Sequence, residues 1–184
     1  AEKTLGNCFT LQIIISVVLT AVLLIFNRTF LLAFGASEKT IGYAVDYMNI
    51  YAIGTIFVQL TLGMNAFITA QGFAKTGMLS VLIGAAANIV LDPLFIFAFD
   101  MGVRGAALAT ILSQAMSCAW VLLFLFGKKT QLRCAAVGWA RAKIILPSLA
   151  LGLSVFIMQA SESVISVCFN ASLLHYGSDI AVGA

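Results

Sequence analysis

GMNAFITAQGFAKTGMLSVLIGAAANIVLDPLFIFAFDMGVRGAALATILSQ, residues 63–114, is the stretch that decides the fold. Between residues 77 and 99 it carries a single ionisable side chain, Asp92, in an otherwise apolar run. A bilayer core about 30 Å thick is crossed by about 20 helical residues, so this run is long enough to span it. Gly72, Lys75 and Gly77 punctuate it on one side, and Asp100 and Gly102 on the other, where the next apolar run begins. Neither run alternates polar and apolar residues, as a membrane strand would, so both read as helices.

The same reading extends outward in both directions. Spanning helices are expected near residues 8–34, 43–70, 77–99, 103–127 and 144–176. With 62% hydrophobic and 9% charged residues among 184, and a mean hydropathy of +1.08, the chain needs lipid over much of its surface. The fold class is therefore an all-α polytopic membrane protein with membrane lipid as its solvent. The chain opens on Ala1, Glu2, Lys3 and Thr4 as though already feeding a helix, and is expected to be a piece of something longer. Its first apolar run is too long for a secretory signal.

Lys3, Lys75, Lys128, Lys129, Arg133, Arg141 and Lys143 fall on one face of this arrangement, against Arg28, Lys39 and Arg104 on the other. The positive-inside rule places the first face in the cytoplasm. Tyr43 then suits an interfacial anchor at the outer end of the second span. Residues 128–143 form the one extended polar stretch and mark a boundary between lobes, with residues 1–127 before it and 144–184 after it. Trp139 beside Ile144, Ile145, Arg141 and Lys143 fits either a helix lying on the membrane surface or a plain linker.

The net charge of +3 comes from basic residues at helix ends and gives no nucleic-acid stripe. Cys8, Cys118, Cys134 and Cys168 are scattered without metal-ligand or disulfide spacing, and His175 reads as a surface residue. No HExxH, GxSxG or Walker pattern occurs, so the chain is expected not to be an enzyme and to need no cofactor beyond a coupling ion.

An ionised carboxylate inside an apolar span costs at least ~2.5 to 3.5 kcal/mol on insertion scales, so Asp92 needs a partner. Asn88 lies four residues earlier and projects from the same helix face, with Gly84 and Ala85 keeping the preceding turn open. Pro93 has no N–H to give the Ile89 carbonyl, which predicts a bend and a free acceptor beside the two side chains. Such a set suits Na⁺, or H⁺ if Asp92 titrates. The plainer alternative is a buried acid that only bonds to neighbouring helices. Glu162, between Gln159 and Ser163 in the fifth span, bears two readings, a hydrogen-bonded structural group or a site for a proton or substrate cation. Gln114 and Asn65 are further candidates for substrate or proton binding, although interhelical hydrogen bonding is the default for such neutral groups, as for Gln59, Thr110 and Ser113.

Three segments carry a resemblance: AQGFAKTGM (70–78), GAAANIVLDPLFIF (84–97) and MGVRGAALATILSQ (101–114). In this order and spacing they resemble the multidrug and toxic compound extrusion (MATE) family, and the likeness extends more loosely along the whole chain. It implies that the five spans are the third to seventh of a twelve-helix, two-lobed fold whose other helices are missing here, with residues 128–143 as the interlobe connection. It further implies a cation site at Asn88, Asp92 and Thr110, completed by an acidic residue of the absent first helix, and a second-lobe role for Glu162. The implied function is export of organic, often cationic or amphiphilic, small molecules in exchange for H⁺ or Na⁺ across a plasma membrane, the inner membrane if the source is bacterial. Two other readings stand beside it: a flippase for lipid-linked oligosaccharide or peptidoglycan precursors from the same superfamily, and a non-transporting membrane scaffold. Basic residues confined to helix ends, and the NIVLDP stretch, favour the exporters over the flippase.

Overall fold

A computed structural model describes residues 2–34, 40–127 and 142–176. They form helices α1 (Glu2–Ala33), α2 (Ile41–Ala70), α3 (Ala74–Pro93), α4 (Gly102–Phe126) and α5 (Ala142–Tyr176). Each contains an apolar window long enough to cross a bilayer, as expected for a multi-pass membrane protein. The expected spans sit inside these helices to within a few residues. Most of residues 128–143, including Trp139, lie outside the described residues, as do Cys134 and the side chain of His175.

Short turns force α2, α3 and α4 to run antiparallel in succession. Between α2 and α3, Gly72 adopts φ +87°, a left-handed conformation that glycine enters without a Cβ penalty. Between α3 and α4, Asp100 and Gly102 both turn left-handed, at φ 52° and 53°. Before that turn, Pro93 itself keeps helical dihedrals (φ −60°, ψ −36°), and the irregular bonding falls just beyond it. Residues Leu94–Ala98 form a wide π-helical turn in which Phe99 N–H reaches back five residues to the Leu94 carbonyl at 3.1 Å. The disruption expected at Pro93 is thus displaced by a few residues toward the α3–α4 turn.

α2 and α4 are the inner pair, α1 packing on α2 and α3 chiefly on α4, while α5 touches only α1 among the described helices. Lipid offers no hydrophobic drive for helices to associate, so close approach over small residues matters. Gly54 lets α2 settle on Ile111 of α4, and Gly84 lets α3 settle on Ser117, since a Cβ at either position would run into those side chains. Leu5, Met64, Ile68, Val121 and Leu125 join α1, α2 and α4 at one end, ringed by Phe9, Phe67, Phe73 and Phe124. That is the end the charge count assigns to the cytoplasm. Phe97 and Ile89 on the outward face of the α3 segment are 80% and 72% exposed, which only lipid or further helices would tolerate in a membrane. At the opposite end, Arg104 of α4 pairs with Asp46 of α2 at 3.2 Å, and Asn27 of α1 donates to Asn49 of α2 at 2.7 Å. Tyr43 is exposed there, and Tyr47 stacks on Tyr51.

Candidate cation site

Asn88 and Asp92 project from one face of α3, one turn apart. The Asn88 amide donates from Nδ2 to Asp92 Oδ1 at 3.2 Å, and both side chains are half-buried. The carboxylate therefore has a neutral donor on its own helix, and its remaining oxygen lone pairs are available to a cation. With its Nδ2 on Asp92, Asn88 turns its Oδ1 elsewhere, so the amide orients the acid in this arrangement.

α4 approaches this face with a ladder of small polar residues. Thr110, Ser113, Gln114 and Ser117 recur at the three-and-four spacing of a single helix face. Together with Asn88, Gly84 and Thr61 of α2 they line a cleft of about 280 Å³ between α2, α3 and α4. Several of these hydroxyl protons are committed to backbone: Thr110 donates to Ala106 O at 2.9 Å, Ser113 to Ala109 O at 2.7 Å and Ser117 to Ser80 O of α3 at 2.7 Å. Their oxygens keep lone pairs for a cation or water. Asp92 stands one turn above the cleft, joined to it by the bond to Asn88.

Of the residues expected from sequence, Asn88, Thr110 and Gln114 meet at this cleft, with Asp92 at its rim. Asn65 does not line it. Its Nδ2 donates to Gly77 O at 3.2 Å, which ties α2 to the start of α3. Glu162 lies apart on α5 with its side chain exposed. The hydroxyls beside it turn away: Ser161 donates to Ile157 O at 2.8 Å and Ser163 to Gln159 O at 3.0 Å. Thr61 and Ser117 were not singled out from sequence as site residues; Ser117 is the next step of the Thr110–Gln114 face and was legible there, whereas Thr61 needs the register of α2. Among the described residues no three His, Cys, Asp or Glu side chains gather, so a cation here would lean on one acid and neutral oxygens.

The sequence matches the MatE family over residues 1–94, about half of the chain. The chain is 27% identical over 146 residues to the multidrug export protein MepA of Staphylococcus aureus strain NCTC 8325, covering 78% of this chain and 32% of MepA. It thus spans about a third of the length of that relative. Among solved structures, the MATE multidrug transporter DinF-BH in complex with R6G superposes with a TM-score of 0.83 at 33% identity, over 97% of this chain and 40% of that one. A MATE protein in complex with MaL6 gives a TM-score of 0.85 at 26% identity, over 99% and 41%. These relatives are multidrug transporters, not enzymes, and the chain belongs to their family, MatE.

Proposed function

We propose that this chain is part of a secondary active antiporter that exports organic, often cationic or amphiphilic, small molecules in exchange for H⁺ or Na⁺. The observation that carries the reading is the Asn88 to Asp92 hydrogen bond at the rim of a cleft that bears hydroxyl and amide groups, within an apolar helix of a MatE-family chain. An acid placed there is costly unless it binds something, and a monovalent cation is what one carboxylate with neutral oxygens would hold. Thr110 supplies a further oxygen from α4. Relatives named for multidrug export, and one solved in complex with R6G, support an organic small molecule as the exported species. In the same reading residues 1–127 belong to one lobe, 128–143 connect the lobes, and α5 opens the second, which fits its contact with α1 alone among the described helices.

Coupling follows if Asp92 holds the cation more tightly in one orientation of the transporter than in the other. A tenfold difference shifts the balance of orientations by about 1.4 kcal/mol. The full-length transporter in proteoliposomes should export dye when a pH or Na⁺ gradient is imposed, and Asp92→Asn should remove that dependence at unchanged expression. Gradient-driven export at the wild-type rate by Asp92→Asn would overturn the assignment.

A further inference from the structure

Thr61 is 5% exposed, lines the cleft, and its buried Oγ1 finds no hydrogen-bond partner of ordinary geometry among the described residues. Its near neighbour is the thiol of Cys118, a weak partner at best. One turn further along the same face of α2, the buried Oδ1 of Asn65 is likewise unpartnered, while its Nδ2 holds Gly77 O. A buried hydroxyl or amide oxygen without a partner is destabilising, so two in succession on one face call for water or an ion. The cleft has the volume for several waters, and its polar groups stand among the apolar Leu62, Val81 and Ala85.

The depths of these groups set a direction. At about 1.5 Å per residue, Asp92 stands about 27 Å along α3 from Ala74, whereas Thr61 and Ser117 stand about 14 Å from the Ala70 and Phe126 ends of α2 and α4. Ala70, Ala74 and Phe126 share the end that carries the positive charge. Polar oxygens therefore descend from Asp92 through Asn88, Thr110 and Gln114 to Thr61, and on to Asn65 beside the α2–α3 turn. At the same end α1 packs on α2 and α4 through the apolar Leu5, Met64 and Ile68 cluster, and the Gln12 Oε1 of α1 is also buried without a partner among the described residues.

We infer that the cleft between α2, α3 and α4 is a hydrated passage by which a monovalent cation moves between Asp92 and the positively charged end, with Thr61 as a buried oxygen on its side nearer that end. The inference rests on the reading of Asp92 as the cation site. No lining group of the passage is charged, so the cation travels with water, as hydrated Na⁺ or as a proton passed along bound waters. Thr61 acts on transit and leaves the affinity at Asp92 alone.

The test uses the full-length transporter in proteoliposomes, driven in separate arms by a pH gradient without Na⁺ and by a Na⁺ gradient at equal pH. The arm that drives export identifies the ion. Occupancy of Asp92 is read in parallel by carbodiimide labelling of the peptide that bears it, with protection by Na⁺ or by raised pH. Thr61→Val, which keeps shape and removes the hydroxyl, should slow gradient-driven export about tenfold with labelling and protection unchanged, and Thr61→Ser should return the rate to within about twofold. Gln114→Leu, which narrows the same passage from α4, should slow export in the same arm. Wild-type rates in Thr61→Val and Gln114→Leu, with export abolished by Asp92→Asn, would overturn the passage and leave the site standing. Loss of labelling in Thr61→Val in step with its rate would overturn it too, since Thr61 would then act on the site itself. Wild-type export by Asp92→Asn would instead overturn the site.

Discussion

Asp92 and Glu162 have the same signature in sequence, a lone acid in an apolar span, but the chain treats them differently. Asp92 stands by a seam in which α3 meets α4 and α2, takes a hydrogen bond from Asn88 and lies at the rim of a cleft that bears hydroxyl and amide groups. Glu162 projects from a helix that touches only α1 among the described helices, and the serines on either side of it give their hydroxyls to backbone carbonyls. The penalty for a buried charge is about the same for both. Within this segment what separates them is the neighbouring helix: the seam of α2, α3 and α4 supplies oxygens and donors at fixed positions around Asp92, whereas α5 meets only α1 among the described helices.

The largest expected effect sets the two acids against each other. In the full-length transporter Asp92→Asn should lower gradient-driven export at least about a hundredfold, equivalent to about 2.7 kcal/mol, whereas Glu162→Gln should lower it about tenfold or less. Equal losses would break the distinction and make the two acids one coupled system across the lobes.

Packing offers a second comparison along the same two helices. A Cβ at Gly84 would run into Ser117 Oγ, while nothing lies within 4 Å of the corresponding point at Gly152 of α5. Gly84→Ala should therefore destabilise the protein by about 2 kcal/mol through overpacking, and lower its melting temperature in detergent. Gly152→Ala should leave that temperature level or raise it slightly, since alanine favours a helix by up to about 1 kcal/mol. A loss at Gly152 as large as that at Gly84 would show that α5 is gripped by helices beyond this segment, and would sharpen the reading of α5 as the start of a second lobe.

Asn88→Leu examines the seam from inside. It removes the donor to Asp92 while keeping a side chain of similar volume, and should weaken protection of Asp92 by the coupling cation about tenfold, the equivalent of about 1.4 kcal/mol. Labelling of the Glu162 peptide should be untouched. An unchanged protection curve would mean that Asn88 orients nothing.

Much of this was legible in the residues. Five apolar runs of spanning length are a one-dimensional signal, and each became a helix, with the turns on either side of α3 placed where Gly72 and Gly102 allow a left-handed residue. The Asn88 and Asp92 contact was legible for the same reason, because two side chains one turn apart on one helix meet whatever surrounds them. Thr61 was not singled out as a site residue because its importance arises from where α2 lies against α3 and α4, a register that no periodicity within α2 encodes. Asn65 divides between the two: close packing over Gly77 turns its Nδ2 to the backbone of the next helix, while its buried Oδ1 keeps no partner among the described residues. Pro93 removes one donor, as its ring requires, yet the irregular turn forms at Leu94–Ala98, where the chain is about to reverse and has fewer helical bonds to lose.

The smallest effect is expected where the interhelical contact is plainest. Arg104 Nη2 lies 3.2 Å from both oxygens of Asp46, joining the ends of α4 and α2 opposite the positively charged face. The arginine and aspartate side chains are 64% and 41% exposed, so water already solvates much of both charges. Pairs of this kind contribute about 0.2 to 1 kcal/mol, and salt screens them. Along the rest of their length α2 and α4 are held by Gly54 against Ile111 and by the buried Met64, Val121 and Leu125 cluster, none of which depends on the pair. Arg104→Gln should accordingly shift stability by about 0.5 kcal/mol, with the shift shrinking as salt is raised, and a double substitution with Asp46→Asn should cost no more than either single one. A loss of several kcal/mol that persists at high salt would place this pair in a low-dielectric contact with helices outside this segment, and the outer end of the seam would then belong with Asp92 as a buried electrostatic element.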